Sequence, residues 1–238
     1  MTETDSRMVR VPPRSSLSRY LRLFPGAIVV AAVTLAVSAT TTALRLGGPE
    51  VSHKVGLSLD GLRAGHLWLI PASTLAQPGP AVRWVMPCFV FVVVALLEYQ
   101  VGTIRALVTF FLSDWIASPL MVLLLWGLGA AGWSEAKQVA SRGDAGASAA
   151  ALGTLVAATL LLRQPWRNLM LAGTAFFLGI QWSFSRLDSS TVHTLGAIVG
   201  LAAALVWLRS NRIRQINTDE FWPTRLLTWI WRKARRQP

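Results

Sequence analysis

The sequence predicts an all-α polytopic membrane protein, a bundle of six transmembrane helices within residues 24–209. Three observations carry this. The 238 residues are 53% hydrophobic and only 14% charged. The apolar runs exceed what a soluble core needs and approach the ~20 residues of a membrane span. The net charge of +12 gathers beside those runs and not inside them, as expected for charge that sets orientation in a bilayer. The basic residues do not interleave with aromatics in a nucleic-acid-binding module, which argues against that class. Cys88 is the sole cysteine. An intramolecular disulfide and a cysteine metal cluster are therefore excluded, packing is the expected role of Cys88, and neither metal nor cofactor is expected.

Residues 1–23 carry five Arg against Glu3 and Asp5, with Pro12-Pro13 and several serines, and read as a basic cytoplasmic leader. The first span is expected from Phe24 to Leu44. A signal peptide cut near Ser38-Ala39 is the alternative, but the run is long for a signal core. Residues 46–83, with His53, His66 and broken apolar pieces, read as a semi-buried external loop. Trp84 to Val101 is the second span, with Glu98 at its cytoplasmic end. Residues 106–130 form the third, interrupted by Ser113-Asp114, where an acid should face protein or water. Its expected role is a packing hydrogen bond, with catalysis the alternative.

Residues 131–144 read as an external loop, and a fourth span runs to Leu162. Arg163-Gln-Pro-Trp-Arg167 makes a tight turn into a fifth span from Asn168 to Phe184. Ser185 to Ser190 returns the chain into a sixth, Val192 to Leu208. The tail, 210–238, interleaves basic residues with Trp222, Trp229 and Trp231 and is expected on an anionic inner leaflet. Both Arg-rich ends place both termini in the cytoplasm. Twenty of the 23 basic residues are Arg, which fits a GC-rich genome and a bacterial plasma membrane.

With that topology the fourth and sixth spans run in the same direction. Ser148 lies roughly 22 Å from Arg163 along a helix, and His193 roughly 24 Å from Arg209, so both side chains sit at one depth inside the membrane. Offsets of three, seven and eleven put His193, Gly196, Gly200 and Ala204 on one face of the sixth helix. That face lacks bulk, as does the start of the fourth helix at Gly146, Ala149, Ala150 and Gly153, and small faces let membrane helices approach closely. Bulk at Gly200 should therefore separate the pair, whereas Gly129, off this face, should tolerate it. A serine beside a neutral imidazole is the minimum for nucleophilic catalysis, and the helix N-terminus at Ser148 offers N–H groups to an oxyanion. An inert interhelical hydrogen bond is the other reading. Asp144 is expected to cap the fourth helix.

Gly146-Ala-Ser148, His193-Thr-Leu-Gly196-Ala-Ile-Val-Gly200 and Glu98-x-x-x-Gly102, in these spans, resemble the rhomboid family of intramembrane serine proteases. The resemblance covers about residues 24–209. It implies a six-helix bundle with a water-accessible cavity, Ser148 as nucleophile and His193 as general base. It also implies cleavage of transmembrane protein substrates without metal or cofactor, with Gly146 and Ala149 shaping the oxyanion site and Gly153, Gly196 and Gly200 packing the helices.

The sequence departs from the family at several positions. Ungapped alignment on Glu98 and Gly102 puts Trp68-Leu69 where the family has Trp-Arg, and Val82 and Met86 where it has an oxyanion-binding His and Asn. Ala149 replaces a glycine, and Leu152 replaces an aromatic that packs on the histidine. Losing an oxyanion donor typically costs about 100- to 1000-fold in rate. Arg83 and Gln77 are candidate replacement donors. The competing expectation is a rhomboid-like pseudoprotease that binds transmembrane client segments.

Overall fold

The computed structural model describes residues 23–184 and 187–210. The expected leader, apart from Leu23, and the expected tail, apart from Ser210, lie outside these residues. The described chain is all-helical, in ten helices. They are α1 Pro25–Ala43, α2 Gly48–Val55, α3 Leu59–Arg63, α4 Leu69–Leu75, α5 Pro80–Val101, α6 Thr103–Ala130, α7 Ser134–Ser141, α8 Ser148–Leu160, α9 Trp166–Phe184 and α10 Leu187–Arg209.

Among the described residues four helices are long and apolar enough to cross a membrane: α1, α5 from Val82, α6 and α10. Helix α8 is apolar but has only 13 residues, about 20 Å of helix against a hydrocarbon core of about 30 Å. Helix α9 has 19 residues, but Arg167, Asn168 and Gln181 dilute its apolar character.

Three expected boundaries change. The loop expected over 46–83 contains α2, α3 and α4, and the loop over 131–144 contains α7. The polar return expected from Ser185 to Ser190 is already helical from Leu187, with Asp188 in the first turn, where a carboxylate complements the positive end of the helix dipole.

Side chains are distributed as in a membrane protein. Ile104, Val92, Phe176 and Phe184 are exposed on the outside of the bundle, while Glu98 and Asp114 are 3% and 2% exposed within it. Where no water competes, each buried polar group needs an internal partner, and several hold helices together. The Glu98 carboxylate accepts from the Gly26 and Ala27 N–H groups at 3.0 and 2.8 Å and from the Thr103 hydroxyl at 2.6 Å. It thereby satisfies orphan donors at the α1 N-terminus and ties that end to the α5–α6 turn. Gln100 Nε2 donates to the Ala158 carbonyl at 3.1 Å, and Trp207 Nε1 donates to Thr109 at 3.0 Å. The acid in α6 makes the packing hydrogen bonds expected of it. Asp114 accepts from Thr74 at 2.5 Å and from Ser118 at 2.9 Å.

Helix α8 is the centre of the bundle, with α5, α6, α9 and α10 packed around it. From Ala149 to Thr159 every residue except Leu155 is buried. Its contact with α10 is backbone to backbone. A Cβ placed on Gly196 would lie 2.6 Å from the Ala149 carbonyl oxygen, one on Gly200 would collide with the Gly153 carbonyl, and one on Gly153 would collide with Ser113 and Gly196. Gly129, by contrast, is not free to accept bulk. Its Cβ would meet the Lys137 backbone nitrogen at 2.9 Å, because α7 folds back onto α6 there. Gly127 has nothing within 4 Å.

Candidate active site

Ser148 is the first residue of α8 and follows an Ala147 N-cap that has no side-chain cap bond. The N-cap position expected of Asp144 is thus occupied by Ala147. The main chain before it leaves the helix axis to pair with the α2–α3 connection, where Leu57 N–H donates to the Asp144 carbonyl at 2.8 Å and Asp144 N–H to that of Leu57 at 3.0 Å. Two residues later the chain turns at Gly146, whose φ of +141° is a conformation that side-chain-bearing residues rarely adopt. Gly146 N–H donates to the Ser73 carbonyl at 2.8 Å. This turn delivers Ser148, half-buried, to the end of a helix whose first N–H groups have no intrahelical acceptor.

His193 is buried in α10. Its Nδ1 is 2.7 Å from Gln181 Oε1 on α9. An amide oxygen only accepts, so in a neutral ring this contact assigns the proton to Nδ1 and the lone pair to Nε2. Nε2 is buried without a hydrogen-bond partner, and the inert Ser148–His193 hydrogen bond is not formed. The Phe177 ring, one turn before Gln181 on α9, is tilted against the imidazole with centroids 6.4 Å apart.

Both residues line one cavity of about 650 Å³. The rest of the lining is Met86 and Phe89 of α5, Leu152 and Leu155 of α8, and Leu169, Met170, Gly173, Thr174 and Phe177 of α9. Apart from Ser148, His193 and Thr174 this lining is apolar, and the Thr174 hydroxyl is turned to the Met170 carbonyl at 2.9 Å.

The remaining expected site residues divide between the cavity and the scaffold. Ala149 is buried in the α8–α10 contact, as are Gly153, Gly196 and Gly200. Met86 is at the cavity, whereas Val82 is an exposed residue of α5. Neither can donate a hydrogen bond. Arg83 does not replace them. Its guanidinium donates to the Gln77 carbonyl at 3.0 Å, to Thr42 at 3.4 Å and to the Leu46 carbonyl at 2.5 Å, which fastens the end of α1 to the start of α5. Gln77 is buried, and its Nε2 donates to the Leu75 carbonyl at 3.4 Å. Trp68 is exposed and Leu69, the first residue of α4, is buried. Among the described residues no three His, Cys, Asp or Glu side chains come together as a metal site.

Gln181 and Phe177 were not anticipated. The one available signal was Gln181 itself, an amide near the end of an otherwise apolar helix, 12 residues before the histidine. In comparison with known proteins, the chain matches no family model, no curated protein and no solved structure.

Proposed function

We propose that the chain is a rhomboid-like intramembrane serine protease acting through Ser148 and His193. The observation that carries this reading is the state of His193 at the cavity it shares with Ser148. Its Nδ1 proton is held by Gln181, and its Nε2 lone pair has no competing partner. That is the protonation state a general base needs. In the reaction Nε2 takes the proton of Ser148 as its oxygen attacks the scissile carbonyl, the oxyanion forms against N–H groups at the α8 N-terminus, and the imidazolium returns the proton to the leaving amine. No metal or cofactor enters these steps. In this reading α8 and α9 complete six spans, with both termini in the cytoplasm of a bacterial cell. The substrate is then a transmembrane protein segment reaching the cavity from the bilayer.

A purified preparation reacted with a fluorophosphonate or isocoumarin probe should label the wild type and neither Ser148→Ala nor His193→Ala. Equal labelling of all three would sink the reading.

Met86 at the cavity favours a second reading, a pseudoprotease that binds transmembrane clients, since binding needs the apolar cavity and not an oxyanion donor. In a deletion strain, rescue by Ser148→Ala as complete as by wild type supports binding, and failure of rescue supports catalysis.

A further inference from the structure

Asp114 is outside the cavity and takes no part in the chemistry above, yet it is deeply buried in the bundle and both its oxygens are engaged. One accepts from Ser118 on its own helix. The other meets the Thr74 hydroxyl at 2.5 Å, and Thr74 belongs to α4, a seven-residue helix too short to hold its position by its own hydrogen bonds. The residue beside Thr74 is Ser73, whose carbonyl accepts the Gly146 N–H at 2.8 Å. Gly146 is the turn from which Ser148 projects.

We infer that Asp114 is a positioning residue for the serine. Through Thr74 it anchors α4 against α6, and α4 in turn holds the Gly146 turn so that the Ser148 hydroxyl is presented to the cavity. The inference rests on the catalytic reading of Ser148.

Three features support a tether over a simple core contact. A carboxylate is a costly way to fill space inside a membrane bundle, where polar residues generally have a task. Its contact crosses from a long helix to a short one that needs an anchor. The Leu57–Asp144 backbone pair grips the same turn two residues earlier, whereas the Gly146 N–H itself is held by α4. The neighbouring Gln77 side chain reaches the same place, with Oε1 3.7 Å from where a Gly146 Cβ would be, so α4 and the residues after it form the seat of this turn.

The test compares full-length wild type, Asp114→Leu, Asp114→Asn and Thr74→Val, with Ser148→Ala as the blank. Two measurements are made: the inactivation rate constant and half-saturation of a fluorophosphonate probe, and amide hydrogen exchange over 143–148. A displacement of ~1 Å can cost about 100-fold in an alignment-dependent reaction. Asp114→Leu and Thr74→Val should therefore lower the inactivation rate constant by up to about that factor, per folded molecule, with half-saturation unchanged and faster exchange at 143–148. Asp114→Asn, whose amide still offers Thr74 a donor and an acceptor, should restore both. A residue that only stabilises the fold would lower the folded fraction and leave the rate constant of the folded molecules at the wild-type value, which overturns the inference. Unchanged exchange in both Leu and Val variants overturns it as well. If the Ser148→Ala blank labels like wild type, the catalytic reading fails, and the exchange measurement still decides whether the tether exists.

Discussion

Helix α8 meets its neighbours in two different ways. Against α10 it is close, with Gly153 and Gly200 in backbone contact. Against α9 it leaves a cavity of about 650 Å³, and α9 buries only Thr174 along its length. The end of α9 nearest the histidine is nevertheless pinned to α10, by the Ser190 hydroxyl on the Gln181 carbonyl at 3.0 Å, Trp182 Nε1 on Thr194 at 3.0 Å, and Gln181 on the imidazole. One side of α8 thus fixes where serine and histidine are. The other leaves the cavity open and, at its pinned end, sets an amide oxygen against one imidazole nitrogen.

The largest effect should come from breaking the close side. Gly200→Leu drives a branched side chain into the Gly153 carbonyl, and overpacking of this kind costs about 1–3 kcal/mol. The helices relieve it by separating, and a shift of ~1 Å can cost about 100-fold where alignment matters. Gly200→Leu is expected to lose nearly all probe labelling at Ser148 while inserting normally in the membrane. Gly127→Leu, in open surroundings on α6, is the control and should label like wild type. Normal labelling of the Gly200 variant would show that the α8–α10 contact does not position the pair.

The close side was legible in the sequence, because a three-and-four spacing of small residues fixes a helix face whatever the rest of the fold does. His193, Gly196, Gly200 and Ala204 are all buried on α10 for that reason. The cavity side was not legible. Gln181 reaches His193 from a neighbouring helix, so the contact depends on how α9 leans, and no periodicity encodes that. The same holds for Gly129, which looked unconstrained only because α7 was hidden in a short polar stretch. Arg83 looked like a spare donor because two of its three acceptors, the Leu46 and Gln77 carbonyls, are backbone groups that carry no sequence signature.

A smaller effect is expected at the pinned end. Gln181→Met keeps the length of the side chain and removes the acceptor from Nδ1, so the ring is no longer held in one orientation and tautomer. General-base catalysis typically supplies about 10²- to 10⁴-fold, and partial misorientation should forfeit about tenfold to a hundredfold of labelling rate. Gln181→Glu retains an acceptor oxygen and should recover much of the loss. Nitrogen-15 spectra of the three histidines provide a direct check. The His193 signal should report a protonated Nδ1 in wild type and lose that signature in the Met variant. Equal labelling rates in wild type and Gln181→Met would show that the contact is incidental to the chemistry.

The smallest effect on the fold should come from filling the open side. A Cβ on Gly173 would have nothing within 4 Å, so leucine there overpacks nothing, and glycine is itself about 0.8–1 kcal/mol poorer than alanine within a helix. Gly173→Leu should leave thermal stability unchanged or slightly raised, which sets it apart from Gly200→Leu. Its consequence should depend on the size of the ligand. A small fluorophosphonate needs only Ser148 and His193 and should react at the wild-type rate. A bulky isocoumarin or a transmembrane peptide must also occupy space beside α9, and the added leucine narrows that space. The ratio of small-probe to large-probe rates should therefore rise in Gly173→Leu. If both probes slow equally, the leucine has disturbed the pair itself, and α9 is as rigidly coupled to α8 as α10 is. If neither slows, the space between α5 and α9 is not where the larger ligand lies.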